Sequence, residues 1–286
     1  MKQKQIAIIG AGKLGKAVES VILPSLGVDS WDKDEAKRTT HKTFEEVISE
    51  ADAILFCIPS WCMRESAESV KKFMKPNAIG VSFAKGLELR TGKTSYEILE
   101  ETLGKKRAGI MSGPLFAHDL ESGKPGYALF GSKNIEARKL IKQLFQKTHM
   151  TVETTDDTTG VALAGVLKNV YGIGMGMLDG IYAGDNMKAE YVTESIQELK
   201  QLGISLGGKK KTMDHPFVIA DFIGTCYCPF SNHRTIGERI AKGEEGSMCE
   251  GLISAPFVAK KSKKNLEILS KIISVLLENK SPKDVF

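Results

Sequence analysis

An α/β first half, built on a doubly wound and mostly parallel sheet, followed by an all-α second half, is what this sequence predicts. Three observations carry the prediction. A short apolar run, Gln5–Ile9, meets a glycine-rich turn that opens a helical stretch. Short apolar runs then alternate with helical patterns as far as residue 154, the order that lays strands side by side in parallel. After Asp156-Asp157 the helical patterns continue and no strand-like run follows. The expected division is a dinucleotide-binding domain over 1–155 and a helical substrate domain over 156–286.

The turn reads Gly10-Ala11-Gly12-Lys13-Leu14-Gly15, and a helix is expected over 16–23. Strand, GxGxxG and helix in that order form a Rossmann-like fingerprint. Gly10 permits the tight turn, Gly12 lets a pyrophosphate approach the backbone, and Gly15 lets the helix pack against the strand. The pyrophosphate would rest on the helix N-terminus, beside Lys13 and Leu14. A second strand, Gly27–Trp31, ends at Asp32. An acid about 20 residues past the glycines bonds adenosine ribose hydroxyls, so Asp32 favours NAD. Lys33 beside it suits a 2′-phosphate and keeps NADP open; a plain turn aspartate is the other reading of Asp32.

Further strands are expected at 53–59, 78–84, 108–112, 127–130 and 151–154, with helices at 62–74, 94–103 and 135–146. Ligands on such sheets bind beyond the strand C-termini. Pro59-Ser60, Lys85-Gly86 and Gly113-Pro114 fall at those ends. Later helices are expected from 158, at 191–202, at 236–242 and at 264–279, with Asp157 as the cap of the first.

Composition narrows the function classes. The chain has 286 residues, a net charge of +5 and a pI near 8.8. That mild, dispersed basicity suits a small anionic ligand and argues against nucleic acid. The lysine clusters at 209–211 and at 260, 261, 263 and 264 read as solvated faces. Five cysteines without a CxxC pair suit reduced thiols in a cytoplasm. The basic start and its apolar run are too short for a signal peptide. His118, His149 and His215 show no metal-ligand spacing, and no metal is expected.

One lysine stands apart. From 158 to 178 the chain reads TTGVALAGVLKNVYGIGMGML, and Lys168 is its only charged residue. The run is long enough to cross a bilayer. The Lys168-Asn169 pair at its centre and six glycines between 160 and 180 suit a closely packed buried helix better, so no membrane span is expected. An ammonium in hydrocarbon needs a depressed pKa, a carboxylate partner or a ligand that uses the charge. Such positions tend to be functional.

The chain resembles the NAD(P)-dependent glycerol-3-phosphate dehydrogenases over nearly its whole length. The markers are GAGKLGKA at 10–17, IPS at 58–60, AKGLELRTG at 84–92 and SGPLFAHDL at 112–120. LAGVLKNVYGIGMGMLDGIYAGDNMKA at 163–189, ADFIGTCYCPFSNHRTIG at 220–237 and CEG at 249–251 complete the set. The resemblance implies interconversion of dihydroxyacetone phosphate and sn-glycerol 3-phosphate, with Lys168 as general acid and base. It implies substrate and cofactor contacts for Lys85, and substrate contacts for Gly113, Asn169, Asp221 and Thr225. Asp221 would also serve the catalytic lysines. Pro59, Ala117 and Glu250 would lie by the cofactor. A homodimer is also implied.

The turn at Ser231-Asn232-His233-Arg234 departs from the family's usual Ser-Arg-Asn-Arg or Gly-Arg-Asn-Arg. Asparagine cannot replace the bidentate fork by which arginine holds phosphate. Leu115 stands where a small hydroxyl residue is common. Phosphate recognition is therefore weaker, rebuilt from other residues such as Arg234 and His233, or absent. Two alternatives follow: a dehydrogenase of the same architecture for another small hydroxy acid or hydroxy phosphate, and a non-catalytic NAD(P)-binding sensor.

Overall fold

The computed structural model describes residues 4–22, 26–262 and 266–286. The basic start of the chain, Leu23 at the end of the first predicted helix, and Lys263 and Lys264 lie outside the described residues. A seven-stranded sheet fills the first half. Its strands are β1 (Gln5–Ile9), β2 (Gly27–Trp31), β3 (Ala53–Phe56), β4 (Ile79–Ser82), β5 (Ala108–Ser112), β6 (Gly126–Gly131) and β7 (Met150–Thr155). They lie in the order β2-β1-β3-β4-β5-β6-β7. Every pairing is parallel except β5 with β6, so the sheet is mostly parallel, as the alternation predicts. Apolar residues of β1 and β3 point into cores on both faces, which is why these strands read as continuous apolar runs; Ile79 and Val81 of β4 point into one of them.

Helices cover the sheet and make up the second half. They are α1 (Lys13–Ile22), α2 (Phe44–Glu50), α3 (Met63–Lys71), α4 (Ser95–Leu103), α5 (Ala117–Glu121), α6 (Ile135–Phe145) and α7 (Thr158–Gly180). The series continues with α8 (Asp185–Ser205), α9 (Lys210–Met213), α10 (Pro216–Tyr227), α11 (Asn232–Ala241), α12 (Glu250–Lys261), α13 (Glu267–Glu278) and α14 (Pro282–Val285). Among the described residues no strand follows Thr155.

Local chemistry sets several boundaries. Thr94 caps α4 through a reciprocal capping box with Glu97, worth about 1 kcal/mol. The helix expected at 62–74 begins as a tight turn over Ser60–Cys62 and stops at Lys71. The helix expected at 236–242 starts earlier, at Asn232, because Ser231 caps it. α10 and α12 escaped the apolar-period reading. α10 is entered through His215 and Pro216 at its first turn, and α12 carries Pro256 inside it, so proline read as a breaker hides both.

α7 is the axis of the second half. Asp157 caps it by accepting the Gly160 N–H at 3.0 Å, and it also accepts the Lys209 N–H at 2.7 Å. The helix is long and apolar enough for a membrane, yet 94% of its apolar window is buried inside the protein. Its glycines explain how neighbours reach it. A Cβ on Gly176 would lie 1.9 Å from the Arg234 carbonyl oxygen, and one on Gly237 would lie 1.9 Å from that of Ile173. α7 and α11 therefore cross backbone to backbone. At Gly165 a Cβ would press on the Lys85 stem at 3.1 Å, so this glycine gives Lys85 its channel.

Candidate active site

The site forms where the ends of β4 and β5 meet α7, α10 and α12. Asp221 on α10 is 3% exposed. One carboxylate oxygen, Oδ1, lies 3.1 Å from Lys168 Nζ, and the other, Oδ2, accepts from Lys85 Nζ at 2.7 Å. Oδ2 also accepts the Gly113 N–H at 3.2 Å. Lys168 donates to Thr225 Oγ1 at 2.7 Å, and Thr225, one turn along α10, donates on to the Asp221 carbonyl at 2.7 Å. Lys85 also donates to the Gly113 carbonyl at 2.8 Å. Lys168, Lys85, Asp221, Thr225 and Gly113 thus form one hydrogen-bonded group.

Asn169, the next residue on α7, holds the Lys85 turn: its Nδ2 donates to the Lys85 carbonyl at 2.8 Å. Glu250, the first residue of α12, holds the same turn from the other side. Its carboxylate accepts the Lys85 N–H at 3.2 Å and the Ser60 N–H, next to Pro59, at 3.0 Å. Gly86 leaves room for it, because a Cβ there would sit 2.8 Å from Glu250 Cβ. One carboxylate therefore ties together the turns that follow β3 and β4.

Electrostatics follow from the burial. Burial lowers the Lys85 pKa to about 8, against the opposing pull of Asp221. For Asp221 burial acts upward, but Lys168 and Lys85 together outweigh it and keep the carboxyl below its ordinary value. Burial raises Glu250. His233 is pushed down to about 3 by burial and then by the two lysines, which keeps its imidazole neutral.

The glycine turn sits at the end of β1. Gly10 has φ +94°, and a Cβ on Gly15 would lie 1.9 Å from the Gly10 carbonyl oxygen, while one on Gly12 meets nothing within 4 Å. The first two require glycine for backbone reasons, and Gly12 leaves an open approach. Lys13 and Leu14 start α1, and Ala117 starts α5. Asp32 braces the turn: Oδ2 accepts the Ala11 N–H at 2.8 Å and Oδ1 accepts the Asp34 N–H at 3.0 Å. Lys33 pairs with Glu65 at 3.0 Å. Trp61 is 37% exposed and is no core residue.

The Ser231–Arg234 turn contributes unevenly. Ser231 caps α11 and Asn232 is exposed. Arg234 is bound by Asp179 and by the Tyr227 carbonyl, and Lys188 also binds Asp179. Asp179 at the end of α7 accepts from Arg234 Nε, and the Tyr227 carbonyl accepts from its Nη1. Asp179 was visible only as part of the marker at 163–189. Ser112, whose hydroxyl lies 3.5 Å from Asp221 Oδ2, was visible only as the end of its strand and the first residue of the SGPLFAHDL marker.

Comparison with known proteins adds an independent finding. Residues 157–286 match the family described as NAD-dependent glycerol-3-phosphate dehydrogenase C-terminus, and residues 36–138 match its N-terminus. The chain is 30% identical to a glycerol-3-phosphate dehydrogenase, NAD(P)+, of Fusobacterium nucleatum, covering 97% of this chain and 93% of that protein. It is 31% identical to the same enzyme of Chlorobium limicola, covering 83% and 79%. The crystal structure of glycerol-3-phosphate dehydrogenase from Coxiella burnetii superposes with a TM-score of 0.90 at 22% identity, over 99% of this chain and 97% of that one, and so shares the fold.

Proposed function

This chain belongs to the NAD-dependent glycerol-3-phosphate dehydrogenase family, and on that premise we propose that it interconverts dihydroxyacetone phosphate and sn-glycerol 3-phosphate with NAD or NADP. The observation that carries this reading is the pairing of two buried lysines, Lys168 and Lys85, on the single carboxylate of Asp221 at the ends of β4 and β5.

The residues fit a nicotinamide dinucleotide. Gly10, Gly12 and Gly15 form a turn whose outer side is open at Gly12, and Asp32 stands at the end of β2. Pro59, Ala117 and Glu250 would line its nicotinamide half. When bound, the cofactor supplies or accepts the hydride at the carbonyl carbon. The remaining work belongs to the protein. Reduction leaves negative charge on the substrate oxygen, and Lys168 donates the proton that quenches it. In the reverse direction neutral Lys168 removes the hydroxyl proton. Lys85 adds a second cation beside the developing alkoxide, while Asp221 keeps both ammoniums in register. Thr225 and Asn169 fix Lys168 and the Lys85 turn. Ser231 and His233 on the α11 turn, with Gly113, would border the substrate.

In this reading residues 1–155 bind the dinucleotide and 156–286 close over the substrate. A cytoplasmic homodimer accords with the family. Cofactor fluorescence followed with dihydroxyacetone phosphate tests the activity: consumption of NADH or NADPH only when the phosphate ester is present supports it. Cofactor binding with no turnover of any small carbonyl would leave a sensor.

A further inference from the structure

The backbone of the Lys85 turn is gripped from the second half of the chain. Asn169 on α7 donates to the Lys85 carbonyl at 2.8 Å, and Ser254 on α12 accepts the Leu87 N–H at 3.1 Å. Glu250, also on α12, accepts the Lys85 N–H. Side chains of other first-half elements reach the same backbone through two hydroxyls: Ser95 donates to the Ala84 carbonyl at 2.9 Å and Ser60 to the Leu87 carbonyl at 3.4 Å.

A stronger link from the first half lies three residues past Lys85. Leu87 bridges to Thr94, and the Glu88 N–H donates to the Lys93 carbonyl at 2.8 Å, so residues 87–94 fold back as a small loop. The Glu88 side chain is 10% exposed and turns to α3. Arg64 Nε donates to Glu88 Oε1 at 2.6 Å, and Arg64 Nη2 donates to Oε2 at 3.0 Å. This two-pronged geometry makes an arginine–carboxylate pair both strong and directional. Thr91 Oγ1 also donates to Glu88. Arg64 Nη2 reaches Glu101 on α4 at 3.2 Å, and Glu101 in turn accepts from Lys93 at 2.9 Å. Arg64 above all holds the Glu88 carboxyl below its ordinary value, so the pair is charged at neutral pH. Arg64 is the second residue of α3, four residues past Ser60.

We propose that Arg64 and Glu88 are positioning residues for the reaction: their pair fastens the loop that follows Lys85 to α3, the helix that follows the Pro59-Ser60 turn, and so sets where the Lys85 ammonium stands relative to the cofactor. The inference rests on the dehydrogenase reading above. Neither residue belongs to the hydrogen-bonded group around Asp221. Without the pair, the loop keeps its attachments to α7 and α12 and loses its charged attachment to the half that binds the dinucleotide. The Lys85 ammonium stands among the charges of Asp221 on α10, Lys168 on α7 and Glu250 on α12, and burial is the largest cause of its lowered pKa. A loosened loop admits water to that ammonium, which moves its pKa from about 8 back towards 10.5.

The test is a double-mutant cycle in the full-length protein: Arg64→Met, Glu88→Gln and the two together, assayed with dihydroxyacetone phosphate and NADH from about pH 7 to 10. Each single variant is expected to lower kcat/KM about tenfold or more, and the double variant no further than the worse single, because either change breaks the same pair. NADH affinity, read by fluorescence, is expected to stay within about threefold of wild type. The pH at which KM for dihydroxyacetone phosphate begins to rise, about 8 in the wild type, is expected to move up in all three. Arg64→Lys keeps the charge without the fork and is expected to fall between wild type and Arg64→Met; it carries the same pH comparison where Arg64→Met does not fold. Losses that add in the double variant, an unmoved pH midpoint, or NADH affinity that falls in step with kcat/KM would overturn the proposal. Wild-type protein that binds NADH and turns over no dihydroxyacetone phosphate defeats the dehydrogenase reading instead.

Discussion

Lys168 Nζ stands 3.1 Å from Asp221 Oδ1, and both side chains are almost wholly buried. The opposite oxygen of the same carboxylate holds Lys85. One acid thus holds two buried ammoniums, one on each oxygen.

Asp221→Asn should therefore do more than remove a contact. Breaking a buried ion pair from one side costs about 3–5 kcal/mol, and Lys85 escapes part of that by deprotonating. Lys85 should titrate lower than its present value of about 8. The expected result is a lower melting temperature, a fall of about a hundredfold or more in kcat/KM, and a pH–rate profile displaced to lower pH. An unchanged profile would mean that Asp221 does not control either lysine.

Lys168→Ala isolates the proton transfer. General acid–base catalysis contributes about 10²–10⁴-fold, so turnover should fall by that much. Cofactor affinity should stay near normal, because the glycine turn and Asp32 are untouched. Single-turnover kinetics and a fluorescence titration separate the two. Turnover at the wild-type rate would remove Lys168 from the chemistry.

Lys85 gives a pH signature in stability as well as in rate. Its folded pKa, about 8, lies below its ordinary 10.5. Between those values the unfolded chain binds the proton and the folded chain does not, so this group makes unfolding harder as pH rises from about 8 to 10.5. Below pH 8 its full cost is present. Asp221, held below its ordinary 3.8, acts in the opposite window: it supports the fold above 3.8 and loses that support as pH falls through its folded pKa. Denaturant melts of wild type and Lys85→Met across pH 7–10.5 should show the positive slope attributable to Lys85 only in the wild type. Over the same range, KM for an anionic substrate should rise above about pH 8, as the ammonium is lost.

Much of this was legible in the chain. The glycine turn, the parallel strands and the isolation of Lys168 are local patterns, and the structure places each as the pattern requires. The helices α10 and α12 were not legible as helices because Pro216 and Pro256 mimic breaks, although one sits in a first turn and the other is carried within the helix. The Glu250 bridge was legible only as a family marker. It joins Ser60 and Lys85 across most of the chain, and no spacing rule encodes such a contact. The fate of Arg234 was hidden for the same reason, since its partner Asp179 is chosen by the close crossing of α7 and α11.

Cofactor choice turns on Asp32, which has two jobs in this geometry. Its oxygens accept the Ala11 and Asp34 N–H groups at 2.8 and 3.0 Å, so it stiffens the glycine turn for either cofactor. Each carboxylate oxygen keeps a further lone pair, enough to accept a ribose hydroxyl, while its charge repels a 2′-phosphate. Lys33, which would welcome that phosphate, is paired with Glu65. NADH should therefore be the tighter ligand of the wild type. Asp32→Ala should weaken NADH about tenfold or more and NADPH less, because NADPH loses the brace but also escapes the repulsion. Fluorescence titration with both cofactors measures this. Tighter wild-type binding of NADPH, or equal losses for the two, would leave Asp32 as a brace of the turn and nothing more.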